Sequence, residues 1–321
     1  MATAIGRAGV LGINRRNADY IAFYNERRFY PLVDDKLITK KLAKDNGIPV
    51  PELYGALNTP RDIPRLGKLV ADHQSFVLKP SHGSGGDGIV VIDTHKDQRF
   101  WTCSGHIVLW PELAHHLENM LGGQFSLGGH PDRAMVEYRV KFDPMFDAVS
   151  YLGVPDIRII VFRGFPVMAM LRLPTRSSGG KANLHQGAVG AGIDIATGKT
   201  LRGVIGNESI GEHPDTGASI TGLAVPYWEQ MLVIAARCYE MTGLGYLGVD
   251  LVLDQNLGPL MLELNARPGL NIQIANGAGL IPRLEHVERL AEPALQAEDR
   301  VLWVQERVRG KSTGWCMGQS D

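Results

Sequence analysis

Residues 76–91 read FVLKPSHGSGGDGIVV. Phe76–Pro80 has the bulky alternation of a strand, Ser81–Gly88 is rich in glycine, and Ile89–Asp93 is a second apolar run. Together they predict a β-hairpin tipped by glycines, with Lys79 at the end of its first strand. The order of the parts excludes two common glycine motifs. Gly83, Gly85 and Gly88 spell GxGxxG, but that string opens a helix in a dinucleotide-binding unit, and here a strand follows. A protein-kinase glycine loop does lie between strands, but its lysine sits on a later strand and HRD- and DFG-type segments follow. Here Lys79 precedes the loop and neither segment occurs. Gly198-Lys199-Thr200 mimics the end of a Walker A loop, but Gly192 comes one residue too early and the flanks read as a hairpin. Lys79 is then either an ordinary strand-end lysine or a cation that reaches phosphates while the loop's backbone N–H groups cover them.

A second hairpin carries the opposite charge. GVDLVL (Gly248–Leu253) and PLMLELNA (Pro259–Ala266) are joined by a turn through Asp254–Gly258. Glu263 and Asn265 lie two apart on one strand, so they share a face, while Leu262 and Leu264 point the other way. The turn brings Asp250 roughly opposite Glu263. Three oxygen-bearing side chains on one face of apolar strands hold a hard cation such as Mg²⁺, form a solvated outer face, or make a salt bridge to Arg267.

The rest of the chain sets these hairpins in a mixed background. Asp34 or Asp35 caps a helix with the stripe Leu37, Ile38, Leu42 and Ala43, and Gly47 ends it. Asn17–Arg28, Pro111–Gly122 and Tyr227–Thr242 also read as helical. Ala134–Val140, Asp156–Phe162 and Pro166–Leu173 read as strands. Helices mixed with hairpins indicate an α+β fold rather than a parallel α/β one. At roughly 150 residues per domain, 321 residues suggest about two domains. Lys and Arg number 33 against 34 Asp and Glu, so no general pull toward nucleic acid or anionic lipid exists. No stretch approaches about 18 uninterrupted apolar residues, so no membrane span is expected. The N-terminus, broken by Arg7, Arg15 and Arg16, lacks a signal-peptide core. Cys103, Cys238 and Cys316 form no CxxC pair and no disulfide framework. A cytoplasmic location is expected.

A cationic glycine hairpin followed by an acidic hairpin resembles the ATP-grasp superfamily. More narrowly, the chain resembles the α-L-glutamate ligase-like proteins related to ribosomal-protein glutamate ligases, over about Asp34–Gly269. The resemblance implies an ATP-grasp fold, with two α+β subdomains clasping ATP. It implies that Lys36 and Lys79 contact ATP and that Ser84, Gly85, Gly86 and Gly88 belong to the flexible loop over its phosphates. Glu137 matches the hinge, with Tyr138 and Arg139 supplying backbone contacts to adenine. Asp156 matches an acid near the ribose, and Arg158 follows on the same strand face. Arg172 matches a phosphate-side arginine, and Asn183 a residue of the nucleotide and substrate loop. Asp250, Glu263 and Asn265 match ligands of Mg²⁺, with Mn²⁺ as an alternative. Lys79, Arg172 and Asn265 are the expected catalytic set. Arg176, Lys181, His185 and Arg267 are candidates for holding a substrate carboxylate.

The activity implied is ATP-dependent carboxylate–amine ligation through an acylphosphate, with an amino acid or peptide as substrate. Two alternatives stay open: an ATP-binding assembly module without turnover, and a ligase for a sugar-linked or cell-envelope acceptor. The sequence departs from the pattern at three places. Only about 35 residues precede Lys36, so a reduced N-terminal subdomain is expected, and a homo-oligomer that covers the exposed surface stays open. The substrate loop reads KANLHQGA (Lys181–Ala188) where the family often has RSNLHRGG. Residues 94–133, with Trp101 and Trp110, form an unfamiliar insert. The expected organisation is 1–72 as a helical segment and reduced subdomain, 73–135 as the lid with the glycine hairpin, and 136–321 as the subdomain with the metal site.

Overall fold

The computed structural model describes residues 9–83, 85–290 and 295–309. The chain divides into two compact units, one of Met1–Asp34, Leu42–Pro49 and Phe142–Asp321, the other of Asp35–Lys41 and Val50–Lys141. Among the described residues the strands form two sheets, of six and seven strands. Every pairing in them is antiparallel. With helices against them, this is an α+β fold.

The smaller unit holds the six-stranded sheet. Its strands are β1 (Leu53–Leu57), β2 (Phe76–Pro80), β3 (Val90–Lys96), β4 (Arg99–Thr102), β5 (Ile107–Leu109) and β6 (Ala134–Glu137), in the order β1-β6-β2-β3-β4-β5. Helix α1 (Lys36–Asp45) starts at Asp35, whose Oδ1 accepts from the Leu37 N–H at 3.0 Å. This is the side-chain cap a helix start needs. The unfamiliar insert builds β4, β5 and helix α2 (Trp110–Leu121), so it widens the sheet and covers it. Phe76 and Leu78 of β2 meet Leu113 and Leu117 of α2 in a core with no solvent exposure. That burial is the main stabilising term of a unit this size.

The larger unit holds β7 (Asp156–Phe162), β8 (Phe165–Leu173), β9 (Val189–Ile193), β10 (Thr200–Ile205), β11 (Glu208–Ile210), β12 (Tyr246–Asp254) and β13 (Gly258–Asn265), in the order β11-β10-β9-β8-β7-β12-β13. Every residue of β8 and β12 is buried. These strands are therefore covered on both faces, which is why they read as nearly unbroken apolar runs. Helix α3 (Trp228–Thr242) packs against β7, β8 and β12. It ends at Gly243, whose φ of +69° is the left-handed stop that glycine adopts freely.

One expectation is corrected. Asn17–Arg28 is not a single helix but a π-helical turn (Arg16–Ile21), an α-turn (Ala22–Tyr24) and a 3₁₀ turn (Arg27–Phe29). The break falls at Asn25, whose side chain is committed elsewhere. Its Nδ2 donates to the Tyr246 and Ala266 carbonyls at 2.8 and 3.1 Å, and its Oδ1 accepts from the Tyr246 N–H at 2.8 Å. Periodicity could not register this partner, which lies more than two hundred residues away.

Candidate functional site

In the smaller unit the glycine hairpin is anchored at both ends. At its start, the Ser81 hydroxyl donates to Asp35 Oδ1 at 2.5 Å, and the His82 N–H donates to Asp132 Oδ2 at 3.0 Å. Arg133 also donates to Asp35. The Lys36 N–H donates to the Ser81 carbonyl at 3.0 Å, and its ammonium donates to the Gly83 carbonyl. At the far end, His116 Nε2 donates to the Gly88 carbonyl at 2.9 Å. Gly85, Gly86 and Gly88 have φ of 65°, 81° and 75°, the left-handed region where a side chain is strained. A Cβ on Gly88 would stand 2.5 Å from the Phe125 ring. Ser84 lies outside the described residues.

Beside this hairpin lies a buried charge cluster. Lys79 Nζ is 2.5 Å from Glu137 Oε1, and Lys40 Nζ is 2.7 Å from Glu137 Oε2. Lys40, Lys79 and Glu137 are 8%, 7% and 3% exposed, so two cations and one carboxylate share a dry site. Burial pushes Lys40 down to about 8, against the pull of Glu137. Burial would raise Glu137, but Lys79 and Lys40 together hold it below its ordinary value. The expected hinge residues are partly committed. The Tyr138 N–H already donates to the Glu52 carbonyl at 2.8 Å, and Arg139 pairs with Asp93 at 2.5 Å.

In the larger unit β12 and β13 pair with Asp250 opposite Glu263 and Gly248 opposite Asn265. β7 places Arg158 opposite Asp250, and β8 places Arg172 opposite Asp156. Opposed residues share a face, so all six side chains gather together. Arg158 grips Asp250 with two bonds, Nε to Oδ1 at 2.7 Å and a terminal nitrogen to Oδ2 at 2.5 Å. Arg172 grips Asp156 and also donates to Asp250 Oδ2 at 2.8 Å. Asn265 Nδ2 donates to Asp250 at 3.3 Å and to Glu263 at 3.5 Å. The guanidiniums that hold Asp156 and Asp250 are those of Arg158 and Arg172, and Arg267 lies over the Tyr30 ring at 4.9 Å.

The environments of the two central acids push them apart. Burial raises Asp156, and Arg172 does not fully offset it. Burial acts on Asp250 too, but Arg158 and Arg172 outweigh it and hold that carboxyl well below the usual range. Asp156 and Asp250 are held by Arg158 and Arg172, and Glu263 and Asn265 stand beside Asp250 on the same face. Hard oxygen donors gathered on one face suit a divalent cation that keeps waters and phosphate oxygens as its other ligands. Among the described residues no group of three or more His, Cys, Asp or Glu side chains is placed to hold a metal ion by itself. The residues that could hold a cation here are Asp250, Glu263 and Asn265.

The loop that follows β8 is preformed. The Thr175 hydroxyl donates to the Gly187 carbonyl at 2.8 Å, and the Gly180 N–H donates to the Thr175 carbonyl at 3.1 Å. Asn183 Oδ1 accepts from the His185 N–H at 3.0 Å, so it caps a local turn. His213, 1% exposed, supports the loop from outside. Its Nε2 contacts the Pro174 carbonyl at 3.0 Å, and its Nδ1 accepts from the Asp215 N–H at 3.3 Å. A carbonyl can only accept and an N–H can only donate, so the ring is neutral with its proton on Nε2. Asp215 in turn accepts from the Arg176 N–H at 2.7 Å. Arg176 lies over the Tyr151 ring at 5.2 Å.

A family model described as sugar-transfer associated ATP-grasp matches residues 15–289. The chain belongs to the sugar-transfer-associated ATP-grasp family. Among curated proteins this ATP-grasp chain is similar to the probable alpha-L-glutamate ligase of Pseudomonas putida strain F1, with 26% identity over 264 residues, 81% of this chain and 64% of that one. It is also similar to the protein of the same name in Pseudomonas entomophila strain L48, with 27% identity over 263 residues and the same shares. The chain thus spans 64% of the length of these relatives. Among solved structures it is similar to a biotin carboxylase from Campylobacter jejuni in an ATP complex, with a TM-score of 0.52 and 17% identity. That likeness covers 83% of this chain and 48% of the other, and at such identity it concerns the ATP-grasp fold alone.

Three residues of this ATP-grasp chain escaped sequence reading. Lys40 lies four positions after Lys36, hence on the same helix face, and that spacing was the available signal. Asp132 is 5% exposed and collects bonds from Ser126, His82 and Arg133. His213 looked like one scattered histidine among ten. No local pattern marks either of these two.

Proposed function

We propose that this chain is an ATP-dependent carboxylate–amine ligase. A carboxylate resists amine attack because it is a poor electrophile without a good leaving group. In the reaction proposed, a substrate carboxylate oxygen attacks the γ-phosphorus of ATP and the bond to the β–γ bridging oxygen breaks. ADP leaves and an acylphosphate forms. The amine then attacks the acyl carbon, the nitrogen loses a proton, and phosphate departs. Protein groups mainly position and neutralise charge in such chemistry.

The residues take these roles as follows. Lys79 and Lys36, with the backbone of Gly85, Gly86 and Gly88, hold phosphate oxygens. Asp250, Glu263 and Asn265 hold Mg²⁺, which when bound neutralises charge on the phosphates. Arg172 stabilises the transferring group while keeping Asp156 and Asp250 in place. The observation that carries the proposal is the Asp250–Glu263 cross-strand pair, with Asn265 beside it on the same face. The names of the curated relatives support glutamate or a similar amino acid as one substrate. The family description supports a second acceptor class, a sugar-linked one. The loop Pro174–Gly187, with Arg176, Lys181 and His185, is the proposed acceptor-reading segment.

The test is phosphate release from Mg-ATP with pooled amino acids, then with pooled amino sugars and uronic acids, for wild type and Glu263→Ala. Stimulation by one pool that disappears in the variant is the expected result, and the pool names the substrate class. Nucleotide binding without stimulation by either pool would favour a module that binds ATP without turnover. Absence of nucleotide binding would end the proposal.

A further inference from the structure

We propose that Lys40 is a positioning residue that takes over Glu137 and thereby frees Lys79 for the nucleotide. This rests on the proposed role of Lys79 as a phosphate contact. In the structure Lys79 is not free: Glu137 Oε1 stands 2.5 Å from its ammonium. A phosphate oxygen must therefore displace a carboxylate that is 3% exposed. Stripping a buried carboxylate of its only cation is severely unfavourable. Lys40 removes that obstacle.

The geometry is that of a shared carboxylate. Lys40 Nζ sits 2.7 Å from Oε2 and also donates to the Pro51 carbonyl. Lys40 therefore stands within hydrogen-bonding distance of Oε2. One oxygen of Glu137 is thus engaged by Lys79 and the other by Lys40. Lys40 keeps the carboxylate paired when the nucleotide claims Lys79. The three groups carry one surplus positive charge in a nearly dry site. A surplus of that kind favours an incoming anion, whereas one lysine and one glutamate alone would be neutral and would offer it no net attraction.

The experiment measures the Kd of a fluorescent ATP analogue with Mg²⁺ by anisotropy. In wild-type background, Lys40→Met is expected to raise Kd by about tenfold or more, the scale of losing one close charge partner. Lys40→Arg should stay within about threefold of wild type, since charge and not ammonium geometry is required. In a Glu137→Gln background, Lys40→Met should change Kd by less than about twofold, because no carboxylate then competes for Lys79. An equal penalty in both backgrounds overturns the proposal and makes Lys40 a direct nucleotide contact. No penalty in wild-type background overturns it as well. Should Lys40→Met fail to fold, Glu137→Gln alone still decides: folded protein that binds the analogue more weakly than wild type contradicts a competing role for Glu137. Lys79→Met separates the two layers. If it leaves binding unchanged, the nucleotide reading of the site fails, whatever Lys40 does.

Discussion

Single side chains set the charge state of this molecule's two clusters. Burial lowers Lys40 to about 8, and the groups facing it are Glu137, Lys79 and the Pro51 carbonyl. Above that pH the folded chain loses the Lys40 proton. Glu137 then relies on Lys79, and nucleotide binding must restore the proton to Lys40. Affinity is therefore expected to fall as pH rises through 8, by up to roughly tenfold per pH unit. Kd titrations at pH 7 and 9 check this, and Lys40→Met should be flat. Asn25 permits a stability prediction. Asn25→Ala strands the buried Tyr246 N–H and two carbonyls. A loss of about 3 kcal/mol is expected in urea unfolding. Of these residues, Lys79 was legible because it ends an apolar strand before a glycine run. Lys40 was not, since a lysine on a short helix usually faces solvent.

At the scale of elements, the hairpins were legible and their supports were not. Glycine runs and apolar runs announce β2–β3 and β12–β13 directly, and the turn length places Asp250 opposite Glu263. The loop Pro174–Gly187 gave only polar composition. Its order comes from His213 and Asp215, some 39 residues away, and from the backbone of 150–153. There a Cβ on Gly153 would meet the Gly180 carbonyl oxygen at 1.8 Å. Gly153→Ala must therefore displace the loop. Faster amide exchange over residues 175–188, with β7 and β8 unchanged, is the expected outcome in hydrogen-exchange mass spectrometry. The anchors of the glycine hairpin, Asp35 and Asp132, are likewise long-range. Only Asp35 left a trace in sequence, as a candidate helix cap.

For the whole molecule, near-zero net charge conceals local segregation: Lys40 and Lys79 gather around Glu137 in one unit, and Asp156 and Asp250 around Arg158 and Arg172 in the other. Mg-nucleotide at about a hundred times its Kd is expected to stabilise the fold by about 2.7 kcal/mol. A thermal melt reads this as a raised Tm, and EDTA should remove most of the shift. A Tm that ignores EDTA would count against the cation. The fold class was legible because alternation and turn residues repeat along the whole chain. The acceptor was not, because specificity rests on a few loop side chains rather than on periodicity.

The neutral ring of His213 has a spectroscopic consequence. A ring proton shielded from solvent and bonded to the Pro174 carbonyl exchanges slowly. It should give a resolved downfield imidazole N–H resonance in a nitrogen-labelled sample. His213→Ala would assign the line. Its broadening on addition of each candidate acceptor would then report, without any turnover, which compound makes the Pro174–Gly187 loop move.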